Sequence, residues 1–213
     1  MGTRTYGKPR CEGCGLWPSL CLCDRIPRVE LPSRVLVVQR YGERFKPTNT
    51  AKLLLAALPH SERVYFGLRD QVFDTRPITD HGPAYLLFPD EEAIPANRLP
   101  PLPVPHTFVV LDGTWHQCSR MRHRVPAARD LPRVTLPPGP PSIWPARAQH
   151  DPRGLSTFEA VARLLEAVHG SEAAAPLHDL FADLCDRLAH MRDPSRPLVT
   201  PRSPRRADPD ASA

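Results

Sequence analysis

Four short runs of the chain are apolar almost without interruption: residues 34–38, 64–66, 84–88 and 107–111. Runs of this length, rich in β-branched and aromatic side chains, predict strands buried on both faces. Such strands occur mainly in parallel sheets covered by helices. Elsewhere the apolar positions recur every three or four residues. Residues 51–58 form one such stretch, preceded by the capping types Thr48, Asn49 and Thr50 and stopped by Pro59. A second opens at Ser156-Thr157-Phe158-Glu159, which has the S-x-x-E spacing of a capping box. It continues with Val161, Leu164, Leu165 and Val168 on one face. A third covers about 177–191, with Leu177, Leu180, Phe181, Leu184, Leu188 and Met191 in phase. Strands alternating with helices predict an α/β layered domain.

Composition sharpens this picture. Hydrophobic residues make up 41% of the 213 positions, enough for a real core and too many for a disordered chain. The 28 prolines gather in the connections. Residues 137–152 are dense in proline and too long for an idle connection, so a functional loop is expected there. From 194 onward proline, charge and small residues predict a disordered basic tail. The expected organisation is a Cys-rich module at 1–27, an α/β catalytic domain at 28–193 and the tail at 194–213. No apolar stretch approaches the roughly 18 residues a membrane span needs, and the polar, basic N-terminus has no secretory h-region. The expectation is a cytoplasmic protein without a membrane partner, and no obligatory protein partner is evident. The net charge of +5 fits an anionic partner such as nucleic acid, although part of the excess sits in the tail at Arg202, Arg205 and Arg206.

Two motifs carry chemistry. Cys11, Cys14, Cys21 and Cys23 form C-x2-C-x6-C-x-C within 13 residues. Four crowded thiols in a cytoplasmic protein point to a metal more than to disulfides, and four thiolates satisfy tetrahedral zinc. Iron–sulfur clusters usually take other spacings. Cys185, on an apolar helix face, and Cys118 read as packing residues. The second motif is Asp112-Gly113-Thr114-Trp115, at the end of the strand that finishes in Leu111. Ligands in open α/β sheets bind at the carboxyl ends of strands. There Asp112 offers a carboxylate, Gly113 a tight turn or close backbone approach, Thr114 a cap or ligand bond, and Trp115 a stacking face for a base or an adenine ring. Ser156 and Thr157, with Glu159, open a helix whose N-terminus favours a carboxylate or phosphate, or serve as a plain cap. Arg120, Arg124 and Arg147 are candidates for RNA phosphates, as any surface arginine is.

Taken in order, the cysteine spacing, Lys46-Pro47-Thr48-Asn49-Thr50, Asp112-Gly113-Thr114-Trp115 and Leu155-Ser156-Thr157-Phe158-Glu159-Ala160 resemble the DTW-domain proteins, the tRNA-uridine aminocarboxypropyltransferases. The resemblance covers roughly residues 11–191. One segment departs from it. Many relatives are similar to His-Pro-x-Glu where this chain has Gln39-Arg40-Tyr41-Gly42-Glu43, leaving Glu43 as the matching acid. The resemblance implies a SPOUT-like open, mostly parallel sheet flanked by helices, with a C-terminal knot. It implies S-adenosyl-L-methionine as co-substrate and tRNA as partner, beside the structural zinc that the cysteine spacing predicts. The implied reaction transfers a 3-amino-3-carboxypropyl group to N3 of a uridine and releases methylthioadenosine. Asp112, Thr114 and Trp115 are the expected catalytic residues. Leu111, Asp112, Gly113, Ser156, Thr157 and Glu159 are expected at the co-substrate, and Thr48, Asn49, Thr50, Arg120 and Arg147 at the RNA. Asp112 has two open roles, base for the N3 proton or anchor for the co-substrate's ammonium. A SPOUT-like methyltransferase and a zinc-stabilised RNA-binding module without catalysis are the alternatives.

Overall fold

Side chains of successive strand residues point to opposite faces, so a continuous apolar run must be covered on both sides. The computed structural model, which describes residues 9–46, 49–145 and 154–199, covers the runs 34–38, 84–88 and 107–111 in this way, whereas 64–66, expected to be buried on both faces, is only half-buried because it lies on the edge strand of the sheet. Six strands form one sheet: β1 (Ser33–Arg40), β2 (Ser61–Phe66), β3 (Ala84–Leu87), β4 (Ile94–Pro95), β5 (His106–Asp112) and β6 (Arg133–Thr135). Their order is β2-β1-β5-β3-β6-β4, and every pairing is parallel. The four apolar runs are β1, β2, β3 and β5. β4 and β6, with two and three residues, are too short to leave a pattern in the sequence.

The helices are α1 (Ala51–Ala57), α2 (Arg76–Thr79), α3 (Trp115–Arg124), α4 (Thr157–His169) and α5 (Ser171–Arg192). Val35 and Val37 of β1 and Phe108 and Val110 of β5 face one core, shared with α1, α4 and α5. Leu36, Val38, Val109 and Leu111 face the other, where Cys118 and Met121 of α3 and Ile78 of α2 cover them. Leu16, Leu20 and Leu22 from the cysteine-rich segment are fully buried in the first core. That segment is therefore packed onto the α1/α5 side of the sheet.

Two helix termini differ from expectation. α5 begins at Ser171 and carries Pro176 inside it. Proline removes one helical hydrogen bond, but Ala174 and Leu177 on either side are fully buried, and that packing carries the helix through. A single residue, Gly170 at φ +93°, separates α4 from α5, a left-handed conformation that favours glycine. At α4, Ser156 Oγ accepts from the Glu159 N–H at 3.2 Å, but Glu159 does not complete the box. Its buried carboxylate accepts instead from Ser142 Oγ at 2.5 Å and Arg163 Nη2 at 2.9 Å. The complete capping box belongs to α3, between Thr114 and Gln117. The segment 146–153, on whose path the expected knot depends, lies outside the described residues, as does the tail beyond Val199.

Candidate active site and thiol cluster

The chain leaves β1 toward β2 on one side and leaves β5 toward β6 on the other. The carboxyl ends of these two adjacent central strands therefore part at a topological switch point, the usual place for a ligand in an open α/β sheet. Gln39 of β1 and Asp112 of β5 sit there in register. Both continue the alternation that points toward α1 and α4, and both are buried.

Asp112 is the convergence point of four chain segments. Its Oδ2 accepts from Gln39 Nε2 at 2.5 Å and from Asn49 Nδ2 at 2.8 Å. Its Oδ1 accepts from Thr157 Oγ1 at 2.5 Å. A carboxylate has about four lone-pair positions, so among the described residues Oδ2 is filled and one position on Oδ1 is open. Gln39, fully buried, has its Oε1 without a hydrogen-bond partner among the described residues. One carboxylate lone pair and one amide oxygen are thus uncommitted acceptors at this edge.

The supporting residues are themselves fixed. Asn49 Oδ1 accepts from the Ala51 N–H at 3.0 Å, so Asn49 starts α1 while its amide reaches Asp112. Thr50 is buried and ties α1 to α4, accepting from the Phe158 N–H at 3.3 Å. With Ser156 holding the Glu159 N–H, two first-turn donors of α4 are already engaged. Glu43, which follows β1 in a 3₁₀ turn, is buried and pairs with Lys46 at 2.7 Å. Gly113 allows the α3 cap to form, because a Cβ there would lie 2.8 Å from Gln117 Oε1. Cys118 donates to the Leu111 carbonyl at 3.4 Å from within the second core. Thr48 and Arg147 lie outside the described residues, and Arg120 and Arg124 are exposed on α3.

Trp115 takes a different position. It stands on the α3 side of the sheet, 58% exposed, and stacks on Phe88 with centroids 5.4 Å apart and planes 14° apart. The structure therefore brings Asp112, Asn49 and Thr157 together and leaves Trp115 on the far side of the same edge. Gln39 was missed by the sequence reading. Its signal was a polar residue directly after the apolar run 34–38.

The four N-terminal thiols form a second cluster. The sulfurs of Cys11, Cys14, Cys21 and Cys23 all lie within 4.8 Å of one another. Three separations are 3.5, 3.8 and 3.5 Å, near the edge of roughly 3.8 Å that a tetrahedron of 2.3 Å metal–sulfur bonds requires. Burial pushes the Cys11 thiol up, but the Cys14 backbone N–H, the Cys21 and Cys23 thiols and the Gly13 N–H outweigh it. Together they bring it down to about 6. Gly13 lies so close that a Cβ would meet Cys23 Sγ at 2.5 Å. The donor set fits a tetrahedral, thiolate-preferring metal ion. Among the described residues no helix is long and apolar enough to cross a membrane.

The DTW domain pattern matches residues 8–189. The chain is 28% identical over 183 residues to a Drosophila melanogaster protein named tRNA-uridine aminocarboxypropyltransferase 2, a match covering 80% of this chain and 73% of the relative. Proteins of the same name from Macaca fascicularis and Mus musculus are 27% and 26% identical over 165 and 163 residues. Each match covers 73% of this chain and 55% of the relative, so the chain spans just over half the length of these mammalian proteins. No solved structure matches the chain.

Proposed function

The chain belongs to the DTW-domain family, and from that premise we propose that it is a tRNA-uridine aminocarboxypropyltransferase using S-adenosyl-L-methionine. The observation that carries the reading is the convergence of Gln39, Asn49 and Thr157 on buried Asp112 at the switch point of the sheet. In the reaction a bond forms between uridine N3 and the methionyl γ-carbon, and the γ-carbon–sulfur bond breaks. The sulfonium leaves as neutral methylthioadenosine, and the N3 proton passes to solvent. A sulfonium is already a good leaving group, so the protein's work is alignment and charge placement.

Asp112 acts as an anchor. With three donors already on its carboxylate, its remaining Oδ1 position accepts one more hydrogen bond, which the ammonium of the co-substrate's methionine moiety supplies. Thr157, Asn49 and Gln39 orient that carboxylate, and Thr114 and Gly113 shape the turn beside it. Ser156 and Glu159 act as positioning residues, holding α4 and the 142–145 loop in place. The four cysteines hold zinc, which stabilises the N-terminal segment against α1 and α5. The protein acts in the cytoplasm on tRNA, toward which its net positive charge steers it.

The test is mass spectrometry of a reaction containing the protein, bulk tRNA and S-adenosyl-L-methionine. Methylthioadenosine and a uridine heavier by an aminocarboxypropyl group are expected. S-adenosylhomocysteine with a methylated nucleoside would replace this reading with a methyltransferase. Neither product, from folded and metal-loaded protein, would leave a binding module.

A further inference from the structure

On the α3 side of the same sheet edge lies a group of side chains that the Asp112 site does not use. Trp115 is 58% exposed, whereas Trp144 is buried at 6%. Phe88 backs one face of Trp115 at 14° to it, so the ring is held flat with its other face toward solvent. Arg122 lies over the Phe88 ring, 4.9 Å from its centroid. Its Nη1 meets Asp90 Oδ2 at 2.7 Å, and Arg133 Nη1 meets the same oxygen at 3.3 Å. Two guanidinium groups therefore share one carboxylate oxygen. The Nε atoms of both arginines are buried without a hydrogen-bond partner among the described residues. Glu91 and Glu92 follow Asp90 in an exposed turn, and among the described residues neither pairs with these arginines. From Trp115 to Arg133 the sequence holds five arginines and one acid, Asp130.

An exposed aromatic face held rigid from behind suits a nucleobase, because stacking asks only for a π-surface. An arginine pair with surplus positive charge suits a phosphate, which guanidinium binds bidentately. The two lie together through Phe88. We propose that Trp115, Arg122 and Arg133 form a docking subsite for one nucleotide of single-stranded RNA, its base on Trp115 and its phosphate on the two arginines. The inference rests on tRNA being the substrate and adds where the nucleotide beside the target uridine sits. Trp115 is three residues from Asp112, at most about 10 Å along the chain, so one RNA strand crossing the sheet edge reaches both. In the free protein Asp90 occupies the arginines, and the phosphate takes its place when RNA binds.

This competition gives the test an unusual sign. Affinity for tRNA is measured by fluorescence anisotropy over a salt series, with wild type, Asp90→Asn, Arg122→Gln and Arg133→Gln. Asp90→Asn frees both guanidinium groups, and tRNA should bind several-fold tighter. Each arginine variant should bind roughly three- to tenfold weaker, with the salt slope reduced by about one. Tryptophan emission should be quenched by tRNA in wild type and not in Trp115→Phe, a readout that needs no charge substitution. Weaker or unchanged binding by Asp90→Asn would overturn the subsite, as would an unchanged salt slope in Arg122→Gln or absence of the quench. These arms need no turnover. Normal tRNA binding without methylthioadenosine release would refute the proposed activity and leave the subsite standing.

Discussion

If the four thiols hold zinc as proposed, Gly13→Ala should weaken that binding, and the size of the effect follows from the geometry. A Cβ at position 13 would sit 2.5 Å from Cys23 Sγ and 3.6 Å from Cys11 Sγ. Ordinary contact needs about 3.5–4 Å, so Cys23 Sγ must withdraw by about 1 Å. A metal–sulfur bond of about 2.3 Å tolerates only about 0.2 Å of error. The substitution therefore costs the site one ligand of four. Structural zinc binds with about 10–16 kcal/mol, or about 2.5–4 kcal/mol per ligand. At about 1.4 kcal/mol per tenfold, metal affinity should fall by about two to three orders of magnitude. Chelator competition followed by metal analysis reads this directly. The same addition at Gly42, which has nothing within 4 Å of its added Cβ, should leave metal affinity unchanged. If Gly13→Ala retained its metal against chelator within tenfold of wild type, the tetrahedral assignment would be refuted.

Three further outcomes are expected. Asp112→Asn should raise the dissociation constant for S-adenosyl-L-methionine far more than that for methylthioadenosine, because only the former carries the ammonium; equal changes by calorimetry would dismiss the anchor role. Thr157→Val removes a hydrogen bond to the Asp112 carboxylate, worth about 1.5–3 kcal/mol of stability, so the melting temperature should fall by several degrees, and kcat/KM of the folded protein should fall roughly 10- to 100-fold as the carboxylate loses its orientation; near wild-type kinetics would show that Asp112 does not need it. Ser33 Oγ bridges His106 Nε2 at 2.7 Å and His169 Nε2 at 2.6 Å, at the opposite end of the strands from Asp112. Burial, and then His106, hold His169 below its usual 6.5, so the unfolded chain takes up this proton more readily. Stability from this group is complete above about pH 6.5 and is lost as pH falls through the depressed value; urea titrations should show His169→Asn with a shallower acid limb, and an identical limb would refute the assignment.

What the sequence disclosed depended on how far each signal extends along the chain. β1 and β5 were legible because burial on both faces forces an unbroken apolar run. β4 and β6 were not, because two or three residues carry no period. The start of α5 was hidden by Pro176, whose local cost is overridden by burial of Ala174 and Leu177. The S-x-x-E spacing at Ser156 suggested a capping partnership, yet Glu159 is drawn away by Ser142 and Arg163, one on a distant loop and one a turn further along α4. Asp112 could be singled out from its place at a strand end. Its partners could not, because Gln39, Asn49 and Thr157 are separated by 10 to 118 positions and meet only through strand register and helix packing.

The four-residue run Asp112-Gly113-Thr114-Trp115 gains its meaning from the sheet edge it crosses. Asp112 is the last residue of β5 and points, by strand alternation, to the α1/α4 face. Thr114 caps α3 and Gly113 leaves room for Gln117 to close the cap, so the chain turns sharply onto the opposite face. Trp115 is then delivered beside Phe88, at the end of β3. A longer connection would let the two side chains drift apart, and a bulkier residue at position 113 would break the cap that fixes α3. The same turn thus sets both the buried acceptor and the exposed ring, one for a small charged group and one for a flat surface. In the proposed reaction a small co-substrate and a strand of RNA meet at one edge from two sides, and this compact turn is a direct way to build that meeting point. Gly113→Ala tests the coupling. The added Cβ would meet Gln117 Oε1 at 2.8 Å and Gln117 Cβ at 3.2 Å, which opens the capping box, at a cost of about 1 kcal/mol. It should weaken co-substrate and tRNA binding together, whereas Thr157→Val should weaken co-substrate binding alone. If Gly113→Ala affected only one ligand, the two halves of the turn would be independent.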